Sequence, residues 1–387
     1  MSLTGTTAAW GVLPSEWHAA CQELQQPAFR AKQIVTGLYQ DFAESWESVT
    51  TLPTGLRATL AERFPLAPPV TVQTSDAEDG VRKLLLACDD GERVETVIIP
   101  SKARVTQCVS TQIGCALGCA FCASGKHGFT RDLGAAEIVG QVMAACRVLR
   151  DTAAPRPTSP GPGAKPSLPR PGNIVVMGMG EPFANYDNVM RALRILNHQQ
   201  GLNIGARHIT ISTCGLVPGI RRLAGEGLQF ELSVSLHAPD DELRGRLMPV
   251  NRRWPLQDLL ETCRDYTEKT GRLVTFEYTL IKNLNDRPEH AARLIRLLRH
   301  MPCKVNLIPL SPVDGFDGRR PDHADCLVFL DALLKAKSTP PCAARAARTS
   351  TPPAASSVCA HLISPREPFK LSLKKPRLSV SIRGSDF

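Results

Sequence analysis

The sequence has no run of about eighteen apolar residues, which excludes a transmembrane helix. Its opening, MSLTGTTAAWGVLPSEW, lacks a basic region followed by an apolar stretch, so no secretory leader is expected. A secreted disulfide framework is also missing: the cysteines number thirteen, an odd count scattered through a large chain. Thiols used this way fit a reducing cytosol, where clustered cysteines bind metals or catalyse, and a cytoplasmic location is expected. There is no acidic excess. Lys and Arg total 46 against 37 Asp and Glu, and the net charge of +9 favours a polyanionic partner.

What is present is length and periodicity. A chain of 387 residues is long for one core, so a main domain with a smaller one is expected. SEWHAACQELQ, AFRAKQIVTGLYQ and TGLRATLAERF place apolar residues three and four apart, which makes residues 1–80 a small helical domain. Its charges, Arg30 and Lys32 among them, are either simply solvated or part of a nucleic-acid-binding accessory domain. VTVQTS, RKLLLAC and VETVIIP, joined by EDG and DDG turns, read as a β meander, with 81–103 leading into the main domain.

From residue 104 to 336 strands alternate with helices. RVTQCVS, NIVVMGM, HITIST, FELSVSLHA, LVTFEYTLI and KVNLIPL are each followed by a helical or loop stretch. That order predicts an α/β fold with a parallel sheet, open or closed into a partial (β/α) barrel, and a ligand site at the carboxyl ends of its strands. Residues 151–172 are rich in Pro, Gly and Ser, lack the apolar residues to bury a core and read as a flexible insertion. Residues 337–387 lack a helical or strand period for most of their length and read as a disordered basic tail.

CVSTQIGCALGCAFCASG, residues 108–125, gathers four cysteines, the last three as C-x-x-x-C-x-x-C. Cys115, Cys119 and Cys122 fall in a loop after a strand, whereas Cys108 lies back in the strand itself. A structural zinc site or a fully protein-ligated iron–sulfur cluster needs a fourth ligand, and the loop offers none at normal spacing. Three ligands on a four-iron cluster leave one iron open to a small molecule. Gly114, Gly118 and Gly125 let the backbone wrap closely.

This cysteine pattern after the first strand of a βα barrel resembles the radical S-adenosylmethionine (SAM) superfamily. RVETVIIP, CVSTQIGCALGCAFC, GFTRDL with EIVGQV, VVMGMGEPFANYDNV, HITISTCGLVPGI, SVSLHAPDDELRGRLMPVNRRWPL and PCKVNLIPL follow in order. Together they resemble the RlmN/Cfr family of RNA adenine methyltransferases, from about residue 15 to about residue 335. The resemblance implies a [4Fe-4S] cluster on Cys115, Cys119 and Cys122, and SAM cleaved to a 5′-deoxyadenosyl radical. It implies cofactor contacts from Gly180, Glu181, Ser212, Ser235, Leu236 and His237, and from Ser311, where the family usually has Asn. His237 also reads as a hydrogen-bonded barrel residue. It further implies that Cys108 resolves a covalent RNA–protein intermediate through a transient disulfide and that Glu95 accepts a proton near the target base. Without the family, Glu95 reads as a solvent-facing strand residue. Cys21, Cys88, Cys146, Cys214, Cys263, Cys303 and Cys326 read as structural. The implied reaction is methylation at C2 of an adenine of 23S rRNA, with tRNA as a further substrate, or at C8 of adenine, since both subfamilies of the family share these blocks. A flavodoxin-type electron donor and a monomeric enzyme are expected.

One family feature is absent. The methyl-carrying cysteine sits in a block close to RGTDIDAACGQL, and neither Cys342 nor Cys359 has that context. Back-translating STPPCAARAARTSTPPAASSV, from Ser338, and reading one base out of frame yields HATLRRARGTDIDAACGQL with only wobble bases left free. The tail therefore reads as a frame-shifted translation. Either the intact gene encodes an RNA methyltransferase, or the polypeptide as written binds cluster and RNA without transferring methyl groups. A radical enzyme acting on a small molecule fits the basic balance and the ordered blocks less well.

Overall fold

The computed structural model describes residues 6–101, 104–126, 128–152, 170–335 and 378–382. Strands β1 (Val70–Asp76), β2 (Arg82–Ala87) and β3 (Arg93–Pro100) form the meander. The core strands are β4 (Val105–Cys108), β7 (Asn173–Val176), β8 (Ile209–Thr213), β9 (Glu231–Ser235), β10 (Val274–Leu280) and β11 (Cys303–Pro309). These six run parallel to one another in that order, each crossing made through a helix. All six are the strands that the alternation predicts. A short hairpin, β5 (Gln112–Gly114) with β6 (Phe129–Asp132), brackets the cysteine loop.

The helices are α1 (Trp17–Glu23), α2 (Phe29–Tyr39), α3 (Thr54–Arg63), α4 (Ala123–Lys126), α5 (Ala135–Thr152) and α6 (Tyr186–Asn197). They continue as α7 (Val217–Ala224), α8 (Asp241–Leu247), α9 (Leu256–Thr270), α10 (Pro288–Leu298) and α11 (His323–Lys335). Strand β12 (Leu378–Ile382) pairs antiparallel with β11 and ends the sheet opposite β1.

The crossover helices form because their apolar residues fall on one face. In α5, Ile138, Val139, Val142, Met143 and Cys146 are buried against the sheet. Asp240 caps α8, its Oδ1 accepting the Leu243 N–H at 2.9 Å, and α9 ends on Gly271 at φ 66°. The helical domain has its own aromatic core. The Trp17 ring lies 6.0 Å from Trp46 and 4.9 Å from Phe64, and the Trp46 indole donates to the Phe64 carbonyl at 2.7 Å. It docks on the barrel where Arg191 of α6 donates to the Gly11 carbonyl at 2.6 Å.

Two boundaries differ from the sequence reading. The meander begins at Val70, inside the stretch assigned to the helical domain, and is continuous with the barrel because β3 pairs antiparallel with β4. Its residues extend the sheet rather than link two bodies. In the tail, Leu378–Ile382 is strand; residues 336–377 and 383–387 lie outside the described residues, as do 153–169 of the insertion. Among the described residues no helix is long and apolar enough to cross a membrane.

Candidate active site

A cavity of about 150 Å³ opens at the carboxyl ends of the parallel strands. Cys115, Cys119 and Cys122 line it from the loop after β5, facing Gly180, Glu181, Ser212, Ser235, His237 and Ser311 from the strand ends. Sequence positions 115 to 311 thus converge on one space. Leu236 does not: its side chain is fully buried in the apolar core, and its carbonyl accepts from Arg244 Nε.

The cysteine loop is held tight by glycine. A Cβ on Gly114 would sit 1.9 Å from the Gly128 carbonyl oxygen, and φ there is 74°. The Gly128 carbonyl accepts the Cys115 N–H at 2.8 Å, which pins the loop to the hairpin. Burial pushes the Cys115 thiol up to about 12 and raises Cys122 as well. Cys119 goes the other way, lowered first by its contact with Cys214, whose sulfur is 3.8 Å away.

Glu181 is 1% exposed. Its Oε2 accepts the Cys214 N–H at 2.7 Å and its Oε1 the Phe183 N–H at 3.0 Å. Burial raises its carboxyl, and these donors oppose the rise. Gly180, at φ 96°, lets the turn before it pass Gln112, whose Oε1 accepts the Glu181 N–H at 2.8 Å.

His237 has φ 56°, an uncommon conformation for a non-glycine residue and one often found at functional positions. Its Nδ1 accepts the Thr279 N–H at 2.9 Å, so in the neutral ring Nε2 carries the proton. Burial, with help from the Arg244 charge, lowers its pKa to about 3, which keeps the imidazole neutral.

Glu95 and Cys108 do not line the cavity. They lie on one inner face of adjacent strands, since Cys108 pairs with Val97 and Glu95 is two residues from Val97. Glu95 is not solvent-facing: it is 8% exposed, and its Oε1 accepts from Lys83 Nζ at 2.8 Å. Burial raises its carboxyl and Lys83 opposes that. Its Oε2 is buried and has no hydrogen-bond partner among the described residues. Cys108 is fully buried among Val81, Val97 and Ile99.

Three contributors escaped the sequence reading. Cys214 is not simply structural: it touches Cys119 and lines the cavity. Glu277 lines it too, fixed by Ser233 at 3.2 Å and Asn306 at 2.6 Å. Arg244, fully buried, clamps the strand-end carbonyls from below. Glu277 stood in the strand pattern and the other two in quoted blocks, but their partners are distant in sequence. Outside the cavity, exposed Arg253 lies 4.8 Å from the Trp254 ring, and Arg30 the same distance from the ring of Phe29, which is 58% exposed.

The donor set suits an iron–sulfur cluster. Three thiols from one short loop line the same cavity, and a cluster takes one thiolate on each of its irons. A buried carboxylate and neutral hydroxyls beside the thiols suit the amino and hydroxyl groups of SAM.

Comparison with known proteins agrees. Residues 166–295 match the model of the radical SAM superfamily, a stretch that begins beyond the cysteine loop. A protein of Dictyoglomus thermophilum named "Probable dual-specificity RNA methyltransferase RlmN" is 45% identical over 311 residues, 80% of this chain and 85% of its own. A namesake from Roseiflexus castenholzii is 47% identical over 335 residues, 79% of this chain and 84% of its own. The crystal structure of a radical SAM methyltransferase from Sphaerobacter thermophilus superposes with a TM-score of 0.79 at 44% identity, covering 85% of this chain and 93% of that one.

Proposed function

The chain belongs to the RlmN family of radical SAM RNA methyltransferases, and we propose that its site methylates C2 of an adenine in 23S rRNA and in tRNA. The observation that carries this reading is the meeting of three loop thiols and the buried Glu181 in one cavity, also lined by Met177, which packs against the apolar cluster holding Cys108. Cys115, Cys119 and Cys122 would hold a [4Fe-4S] cluster, and Gly180, Glu181, Ser212, Ser235, Leu236, His237 and Ser311 the cofactor. When bound, that pair supplies a 5′-deoxyadenosyl radical able to activate a methyl C–H bond.

The protein's own groups do the rest. Glu181 would accept a hydrogen bond from the cofactor's amino group, beside the Cys214 and Phe183 N–H groups it already holds. Neutral His237 donates from Nε2 without adding charge. Glu95 takes the proton from the adenine ring at Oε2, which has no partner among the described residues, while Lys83 keeps Oε1 engaged. Cys108 then attacks the sulfur of the methyl-carrying cysteine: a disulfide forms as the bond from that sulfur to the transferred carbon breaks, and the carbon takes the proton of the Cys108 thiol to become the methyl group. Basic Arg252 and Arg253 meet RNA phosphates.

The methyl-carrying cysteine is the missing part, and its place in the sequence lies outside the described residues. On the frame-shift reading, the chain as written binds cluster, SAM and RNA without methylating, and a chain with one base restored near codon 337 is active. The test is a trap. In the restored chain Cys108→Ala should leave the protein covalently joined to RNA, since no thiol resolves the intermediate. Free RNA and unmodified protein from that variant would refute the role of Cys108.

A further inference from the structure

Arg244 is 0% exposed, yet among the described residues its guanidinium hydrogen-bonds to no carboxylate. Its Nε donates to the Leu236 carbonyl at 3.3 Å and Nη1 to Asn251 Oδ1 at 2.7 Å. Its Nη2 donates to the carbonyls of Cys214 at 2.8 Å and Ser235 at 2.9 Å. All four acceptors are neutral. The nearest acid along this network, Asp241, is one amide removed, accepting from Asn251 Nδ2 at 2.9 Å. Space is kept for the cation: Gly215 has φ 103°, and a Cβ there would come 3.1 Å from Nη2. Burying a charge is costly unless another charge answers it. Neutral amides could hold the same carbonyls without that cost.

The candidate counter-charge lies across Cys214. That residue ties three parts together: its carbonyl to Arg244, its N–H to Glu181, and its sulfur, 3.8 Å away, to Cys119. The two sulfurs lie within hydrogen-bonding reach, and a cysteine sulfur bonded to iron is the accepting member of such a pair. We propose that Arg244 and Cys214 form the electropositive side of the iron–sulfur site. Arg244 is its internal counter-cation and Cys214 a hydrogen-bond donor to the Cys119 sulfur, and both hold the reduction potential up. Net charge and hydrogen bonds to sulfur are among the quantities that set such potentials. Both are positioning residues, acting through Cys119 and the strand-end carbonyls. This inference rests on Cys115, Cys119 and Cys122 being the cluster ligands.

The experiment uses the full chain, reconstituted anaerobically with iron and sulfide and titrated redox-potentiometrically with electron paramagnetic resonance as the readout. Wild type should bind iron. Arg244→Gln and Cys214→Ala should bind the same iron with a lower midpoint potential, while Arg244→Lys and Cys214→Ser stay near wild type. A wild-type midpoint in Arg244→Gln would reduce Arg244 to a backbone clamp and overturn the proposal. If Arg244→Gln does not fold, the Cys214 pair decides, and a wild-type midpoint in Cys214→Ala overturns it equally. Loss of iron in Cys214→Ala alone would make Cys214 a ligand, against the proposal. Absence of iron from wild type would overturn the ligand assignment first, and this inference with it.

Discussion

Glu181 and Cys214 are joined by a backbone N–H that meets a buried carboxylate oxygen at 2.7 Å, tying the end of one strand to the end of the next. Glu181→Ala should strand the N–H groups of Cys214 and Phe183 and cost about 1–3 kcal/mol for each group left buried without a partner. Glu181→Gln should keep one acceptor and most of the fold, yet bind SAM about tenfold or more weakly, since a charged acceptor is lost. Urea unfolding and equilibrium dialysis separate the two effects.

Lys83 and Glu95 form an ion pair with side chains only 14% and 10% exposed. Lys83→Met should leave the carboxylate unanswered and cost about 3–5 kcal/mol near neutral pH. The sign of the pH dependence follows from the raised carboxyl of Glu95. A folded-state value above the unfolded one gives stability that is present in acid and lost as pH rises through the folded value. Lys83→Met raises that value further, so its deficit should be larger at pH 7 than at pH 5. Denaturant unfolding at both pH values checks this, and an equal deficit at both would contradict it.

Gly180 cannot carry a side chain: a Cβ would fall 2.5 Å from that of Gln112, at φ 96°. Gly180→Ala should cost about 1–3 kcal/mol from backbone strain alone. It should also shift Glu181 off Gln112 and weaken SAM binding, both readable by calorimetry.

Replacing Cys115, Cys119 and Cys122 together by Ala should abolish iron binding after anaerobic reconstitution while leaving the fold intact. A circular dichroism spectrum with an iron assay checks both. Full iron content in the triple variant would refute the ligand set.

How much of this was legible in the sequence depended on how local each signal was. The parallel strands declared themselves through apolar runs such as NIVV and KVNLI, and the three thiols through their spacing. The burial of Glu95 was not legible, because it depends on β2 lying alongside and on Lys83, a partner twelve positions away. Arg244 was hidden for another reason: three of its four acceptors are backbone carbonyls, which no side-chain pattern encodes. Cys214 read as structural because its neighbour Cys119 lies ninety-five positions away in the chain. The pairing of β12 with β11 is likewise long-range, and a segment without clear periodicity gives little local sign of it.

The central claim is that this scaffold methylates a ring carbon of adenine once its methyl-carrying block is in frame. The direct test incubates unmethylated 23S rRNA with SAM, a reductant and either the chain as written or the chain restored by one base near codon 337, and digests the RNA to nucleosides for mass spectrometry. The restored chain should give 2-methyladenosine and the chain as written none. Methylation by the chain as written at the restored chain's rate, or no methyladenosine from the restored chain despite a loaded cluster, would contradict the account.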